Sequence, residues 1–411
     1  MHEEIRTIQQ FYALMQATGE DRRRAVARVL AGADPAPEDV RRLAASLESL
    51  KQIPFRDGRF ELSGGVANGG HTNGSSRTIR LELDYEFEEL EKDLLFLEKG
   101  EEALLARMAE LHPGFQEELA GARAFCSGMT LPLGCLLTDR DGTVNNYCGR
   151  YLSSIQSAYN AVFLSRFARH AVRKAVILTS APLSDGGLED LTVSPAGTFV
   201  LAGSKGREYV DDRGRRGTLA VEADKQQQLE RLNRRLSELL RDPGYEIFSL
   251  IGSGLQFKFG QTTVARQDIY GSIPETESEG FLSMIRELVC ELDPEGLYFR
   301  IEDTGKDIEI ILTVEGTSGL KDFDKGDGIL FLDSRLGLDI TGSENLVCGD
   351  TASDVPMVKS ASEKSPDPWT IFVTREEKLK EAVRRTSDRV HFVSEPDVLV
   401  CCLNQLGKER Q

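Results

Sequence analysis

The chain has 411 residues, enough for two or three domains that each bury a core of their own. With 40% hydrophobic and 28% charged residues its composition is that of a globular protein, and no apolar run approaches the ~18–20 residues that a membrane span requires. A formal charge of −17 argues against a nucleic-acid partner, whose affinity rests on Lys and Arg neutralising phosphates, so an anionic ligand would need a local basic pocket.

The opening Met1-His2-Glu3-Glu4 has no basic segment leading into an apolar one, which predicts a cytoplasmic protein without a secretory signal. Seven cysteines form an odd set without zinc-like spacing, and most lie in or beside apolar segments, so they are read as reduced structural thiols. Only five scattered histidines are present, which makes a hard cation held by carboxylates the better expectation for any metal site.

Taken in chain order, residues 1–52 read as a small helical bundle. Amphipathic stretches over 4–16 and 21–30 precede Asp34-Pro35, an N-cap with Pro at the first helical position, which launches a helix over 38–51. Residues 53–78 read as a flexible linker because 63–76 are dominated by Gly, Ser and Asn. Over 79–128, Phe87, Leu90, Leu94, Leu97, Leu104, Met108 and Leu111 recur at helical spacing among Glu and Lys, predicting one long helix with an apolar face packed on a neighbour. His112-Pro113-Gly114 breaks that pattern.

From about residue 131 short apolar runs alternate with helical patterns, the texture of a parallel α/β sheet. Gly134–Thr138 reads as a strand buried on both faces, and it ends in Asp139-Arg140-Asp141-Gly142-Thr143. Carboxylates at the carboxyl end of such a strand stand where open α/β sheets bind ligands. A calcium loop counted from Asp139 would need Gly and Glu where Val144 and Arg150 stand, so that reading fails. Further strands are predicted at 175–178, 198–202, 345–348, 370–373 and 391–393, with a helix over 159–172. A second acidic strand end is Gly349-Asp350-Thr351-Ala352-Ser353-Asp354. Two buried strands that both end in acid pairs, if adjacent, assemble an all-oxygen Mg²⁺ site. Thr179 stands at another strand end, and Lys325 opens a helical stretch at Asp324-Lys325-Gly326-Asp327-Gly328. Between 205 and 320 the pattern changes to alternating strands at 246–251, 255–259, 298–302 and 307–314 with helices over 224–240 and 277–292. That predicts an α+β unit spliced into the core, which itself spans 129–204 and 321–411.

These residues resemble the haloacid dehalogenase superfamily of phosphatases: an Asp-x-Asp-Gly-Thr strand end, a strand-end Thr, a Lys and a Gly-Asp-x-x-x-Asp segment occur in the family's order. The resemblance implies a Rossmann-like α/β core with a type-two cap. It further implies that Asp139 is the nucleophile, Asp141 the acid and base, and Thr179 and Lys325 the holders of the phosphoryl group. Mg²⁺ would be held by Asp139, the Asp141 carbonyl and Asp350, with Asp354 in support. The segments Leu137–Tyr151, Gly203–Tyr209, Ile251–Lys258, Asp324–Ile329 and Cys348–Val358 are similar to the nematode-type trehalose-6-phosphate phosphatases. On that likeness the substrate is a sugar phosphate, trehalose 6-phosphate first among them. The likeness puts Gly206 and Arg207 at a cap hinge, and a cap hinged near 203–206 and 319–320 is expected to swing closed and exclude water. It also puts Gln256 and Lys258 on one face of a cap strand facing the sugar, and Glu309 or Glu315 as further hydroxyl contacts. Other sugar phosphates, or a non-catalytic binding role centred on the helical region, are the alternatives. Arg140 stands where the family often has a large apolar residue, a change expected at the entrance rather than at the acids. No protein partner is implied for the N-terminal helices.

Overall fold

The computed structural model describes residues 4–64, 78–313, 323–365 and 367–410. Helix α1 (Ile8–Leu30) opens with a capping box: the Gln10 N–H donates to the Thr7 hydroxyl and the Thr7 N–H to the Gln10 side chain. It runs unbroken where two helices were expected. Gly19 stays helical, and its bare Cα admits Ile155, whose Cγ2 would lie 3.3 Å from a Cβ there. Helix α2 (Pro37–Lys51) starts with Pro37, not Pro35, so this stretch holds two helices among the described residues rather than three. The predicted linker is partly structured: β1 (Phe55–Arg56), β2 (Arg59–Ser63) and β3 (Thr78–Leu81) form an antiparallel sheet. Its Gly- and Asn-rich middle, 65–77, lies outside the described residues. The single long helix expected over 79–128 is three helices, α3 (Asp84–Lys99), α4 (Glu101–Leu111) and α5 (Phe115–Cys126). The first break falls at Gly100, whose φ of 84° suits a residue without Cβ. The second falls at His112-Pro113-Gly114.

The core begins with β4 (Leu133–Thr138), then α6 (Ala158–His170), β5 (Val172–Leu178), the short α7 (Leu188–Leu191), β6 (Val200–Gly203), β7 (Glu208–Val210) and β8 (Arg216–Thr218). The insertion contributes α8 (Ala223–Leu239), β9 (Leu255–Lys258), β10 (Gln261–Ala265), α9 (Glu275–Leu292), β11 (Phe299–Asp303) and β12 (Asp307–Leu312). The chain returns with α10 (Lys325–Leu336), β13 (Asn345–Gly349), α11 (Val355–Lys364), β14 (Trp369–Val373), α12 (Glu377–Arg384), β15 (Val390–Val393) and α13 (Pro396–Lys408). The eight strands of the core sheet are ordered β15-β14-β13-β4-β5-β6-β7-β8, parallel from β15 to β6 and antiparallel beyond. β7 and β8, which fall inside the segment read as the insertion, therefore pair with the core sheet.

Alternation along the strands feeds two layers. Leu136 and Ile177 join the cluster that holds α6 and α13, while Cys135, Leu137 and Val176 pack with Ile329, Leu332 and Met357 on the other face. The inserted strands form a separate antiparallel sheet in the order β11-β12-β10-β9. Residues 246–251, predicted as a strand, instead hold a 3-10 turn at Glu246–Ser249, and the strand that pairs in its place is β10.

The helical region is joined to the core through buried charge. Asp93 of α3 accepts the Ala158 N–H at 2.6 Å and the Tyr159 N–H at 3.2 Å, capping α6 from another element, and its other oxygen accepts Arg22 Nε of α1 at 2.6 Å. Both members of the Arg22–Asp93 pair are fully buried. Asp93→Ala leaves Arg22 buried without its counter-charge and α6 uncapped, and is expected to destabilise the fold by about 3–5 kcal/mol in urea unfolding. A loss well under about 1 kcal/mol would contradict this account of the junction.

Candidate active site

β4 and β13 lie side by side, with Thr138 paired to Cys348, so the acids that follow them share one end of the sheet. The Asp139 N–H donates to the Cys348 carbonyl at 3.1 Å and extends that pairing by one residue. Oxygens of Asp139, Asp350 and Asp354 all lie within 4.8 Å of one another. Lys325, at the first position of α10, donates at 2.5 Å to both Asp139 Oδ1 and Asp354 Oδ1. Asp324 caps that helix through a reciprocal bond with Asp327, which fixes the origin of the lysine.

Asp354 is the most engaged of the three. Its Oδ2 accepts from the Asp350 N–H, the Thr351 N–H and the Thr351 hydroxyl. Burial opposes its charge, but Lys325 and these donors hold its pKa below the usual carboxylate range. Asp139 is pushed up to about 6, chiefly by burial and against the pull of Lys325. Asp350 goes further, to about 8, through burial and then the charges of Asp139 and Asp354. The Thr143 hydroxyl lies 3.3 Å from Asp139 Oδ2 and 3.0 Å from Asp350 Oδ1. Gly142 has φ 85°, and a Cβ there would fall 2.2 Å from Asp350 Oδ2, so the approach of the two strand ends depends on glycine.

Three carboxylates facing one ammonium leave an excess of negative charge, and the raised pKa of Asp350 registers it. An all-oxygen donor set of this kind fits a hard divalent cation. Asp139 and Asp350 could hold such an ion, whereas Asp354 is engaged by Lys325 and backbone N–H groups.

Asp141 lies in the turn that follows β4, which closes where the Gly142 N–H donates to the Asn145 carbonyl at 2.7 Å. Its Oδ1 accepts from Ser154 Oγ at 2.9 Å and from Arg140 Nη1. Arg140 is buried, its Nη2 donates to the Ser154 carbonyl, and Asp141 holds its charge in place although burial opposes it. The structure thus corrects the expectation for Arg140: it touches one of the acids instead of lining the entrance.

Thr179 follows β5, beside β4, and its Oγ1 accepts the Ala181 N–H at 3.2 Å. Its carbonyl accepts from the Lys205 N–H at 2.8 Å, which ties it to a left-handed turn in which Ser204, Lys205 and Gly206 have φ of 53°, 61° and 90°. A Cβ on Gly206 would lie 2.8 Å from Gly328 Cα, so this turn leans directly on the first turn of α10. Arg207 lies over the Phe323 ring and donates to the Phe259 carbonyl, at the junction of core and insertion. Gln256 and Lys258 share a face of β9; the register places Thr263 opposite Gln256, and Glu309 opposite Thr263. Burial lowers the Lys258 pKa. A small cavity of about 110 Å³ is lined by Asp141, Tyr147, Ser154, Ser253 and Gln256, which brings Gln256 to the turn that carries Asp141. Glu315 and the second hinge expected at 319–320 lie outside the described residues.

Sequence reasoning missed Ser154 and the contacts of Arg140. The signal open to it was a cation set between two acids, and nothing local says that this cation is buried.

The order of the strands, the acids at the ends of β4 and β13, the lysine between them and the inserted antiparallel sheet agree with the resemblance to the haloacid dehalogenase superfamily. Residues 136–399 match the family model described as trehalose-6-phosphate phosphatase, C-terminal, and residues 7–111 match the trehalose-6-phosphate phosphatase N-terminal helical bundle domain. The chain belongs to the trehalose-6-phosphate phosphatase family. It is 31% identical to a Caenorhabditis elegans trehalose-phosphatase over 328 residues, 74% of this chain and 72% of that one. It is 28% identical to a Brugia malayi trehalose-phosphatase over 433 residues, 99% of this chain and 87% of that one. It is also 32% identical to the Caenorhabditis elegans alpha,alpha-trehalose-phosphate synthase (UDP-forming) 2 over 423 residues, 98% of this chain but 34% of that one. The chain spans about a third of the length of the synthase relatives it matches. Among the described residues no helix is long and apolar enough to cross a membrane.

Because protons and a cation compete for Asp350, divalent-cation affinity is expected to fall roughly tenfold per pH unit as pH drops from about 8 to about 6. Titration calorimetry with Mg²⁺ checks this, and an affinity independent of pH would contradict it.

Proposed function

We propose that the protein is a Mg²⁺-dependent phosphatase that hydrolyses trehalose 6-phosphate to trehalose and phosphate. The observation that carries this reading is the meeting of Asp139, Asp350, Asp354 and Lys325 at two adjacent strand ends. In the proposed reaction a carboxylate oxygen of Asp139 attacks phosphorus, the bond to the sugar oxygen breaks, and an aspartyl-phosphate forms. Asp141 gives its proton to the departing sugar oxygen. It then takes a proton from water, whose oxygen attacks the same phosphorus and releases phosphate, restoring Asp139. Lys325 and Thr179 bind the oxygens of the phosphoryl group. Asp139, the Asp141 carbonyl and Asp350 would hold Mg²⁺, which when bound would supply charge compensation for the approach of a carboxylate to a phosphate dianion.

The inserted sheet forms the cap in this reading. Gln256, Lys258 and Glu309 present polar groups that suit sugar hydroxyls, and Gly206 with Arg207 serves the hinge. Support for trehalose 6-phosphate as the substrate comes from the family and the likeness to the nematode trehalose-phosphatases.

The test is phosphate release from a panel of sugar phosphates with Mg²⁺ and with EDTA. Turnover confined to trehalose 6-phosphate, EDTA-sensitive and lowered at least about 10³-fold by Asp139→Asn, is the expected result. Preference for another sugar phosphate would overturn the substrate, and activity that survives Asp139→Asn would overturn the mechanism. Gln256→Ala is expected to raise KM for the sugar phosphate about threefold to tenfold, the worth of one hydrogen bond to an uncharged group. An unchanged KM would remove Gln256 from the sugar site.

A further inference from the structure

The helical region meets the core along one side of α3, and that side is polar. Glu86, Glu89, Lys92 and Asp93 are all buried, an unusual density of charge for one helix face. Each of the four is engaged, and the partners are concentrated in the segment that connects the catalytic turn to α6. Arg150 Nη2 donates to both Glu86 oxygens at 2.8 Å and to the Glu82 carbonyl at 2.6 Å. Asn146 Nδ2 donates to Glu89 at 2.8 Å. Asp93 receives the N–H groups of Ala158 and Tyr159. Lys92 pairs with Glu89 and, at 2.9 Å, with Asp397 of α13, whose other oxygen accepts from the Tyr159 hydroxyl at 2.7 Å.

One line of bonds leads from α3 to Asp141 itself. The Tyr85 hydroxyl donates to the Ile155 carbonyl at 3.1 Å and accepts from Asn145 Nδ2 at 3.2 Å. The Asn145 amide reaches Ser154 Oγ at 3.3 Å, and Ser154 Oγ donates to Asp141 Oδ1 at 2.9 Å. The Asn145 backbone closes the turn from the other side, its N–H bonding the Arg140 carbonyl and its carbonyl taking the Gly142 N–H. Thus Asn145 is held by Tyr85 at its side chain and holds Asp141 through its backbone.

We propose that α3 is part of the active-site scaffold, with Tyr85, Asn145 and Ser154 acting as positioning residues that set the Asp141 carboxylate for proton transfer. The proposal rests on the reading of Asp141 as the acid. A separate docking module would be expected to meet the core through a small or wet surface, whereas this junction buries Glu86 with Arg150, Asp93 with Arg22, and Lys92 shared between Glu89 and Asp397. Buried ionic groups add little net stability compared with apolar packing, and in this proposal their role is to hold the segment from Asn146 to Tyr159, next to the Asp141 turn, in one geometry.

The test uses leaving groups that differ in their need for a proton. A sugar alkoxide must be protonated as it departs, whereas p-nitrophenolate departs as a stable anion. Tyr85→Phe and Ser154→Ala are compared with wild type in the full chain, through kcat/KM for trehalose 6-phosphate and for p-nitrophenyl phosphate. Displacement of Asp141 is expected to change the ratio of the two values about tenfold against the sugar phosphate in both variants. In Tyr85→Phe, backbone N–H groups over residues 145–159 are expected to exchange faster with deuterium. Equal losses on both substrates, which a general loss of folded protein would give, overturn the proposal. So does unchanged exchange over 145–159, a readout that needs no substrate. Failure of the parent reading looks different: Asp141→Asn itself would then leave the ratio of the two kcat/KM values at its wild-type level.

Discussion

Lys325 stands between Asp139 and Asp354, and the arrangement of the site follows from that one buried cation. Without it two carboxylates taken from water would face each other at adjacent strand ends, which burial makes costly. With it, Asp354 is held ionised and turned toward Lys325, and Asp139 keeps one oxygen on the lysine and the other near Thr143. Asp350 accepts from the Thr143 hydroxyl rather than from the lysine, and burial, then the charges of Asp139 and Asp354, push its pKa up to about 8.

The fold delivers these groups from distant parts of the chain. β4 and β13 are neighbours in the sheet, α10 begins with the lysine at its first position, and the turn at Ser204–Gly206 leans on that helix backbone to backbone. That turn also carries the chain toward the inserted sheet, and Ser204 Oγ accepts the Phe259 N–H at 2.8 Å. Core, insertion and the helix that carries Lys325 therefore share one contact point. The helical region adds a second brace through α3, on the side of Asp141.

Much of this was legible in the sequence because strands buried on both faces write themselves as unbroken apolar runs. Gly134–Thr138 and Asn345–Gly349 are such runs, and the acids after them stand out against the apolar background. Helix breaks are less legible: the sequence predicts separate helices over 4–16 and 21–30, yet the chain is helical through Gly19 with Ile155 packed on it, and it predicts one helix across Gly100, which ends a helix. The same composition permits either outcome, and tertiary packing decides. The charged residues of α3 were read as a field of Glu and Lys around an apolar stripe. Sequence carries no sign of which charges will be buried, since the partners of Glu86 and Asp93 lie far along the chain at Arg150, Ala158 and Tyr159. Arg140 escaped for the same reason.

The most direct test of the central claim is to trap the bond to Asp139. The protein is mixed with trehalose 6-phosphate and Mg²⁺, quenched in acid within the first turnover, and reduced with borohydride, which converts an acyl phosphate to an alcohol. Peptide mass spectrometry is predicted to find homoserine in place of aspartate at position 139 and at no other acid. Active protein that yields no reduced residue at 139, or yields it at another carboxylate, would contradict the account.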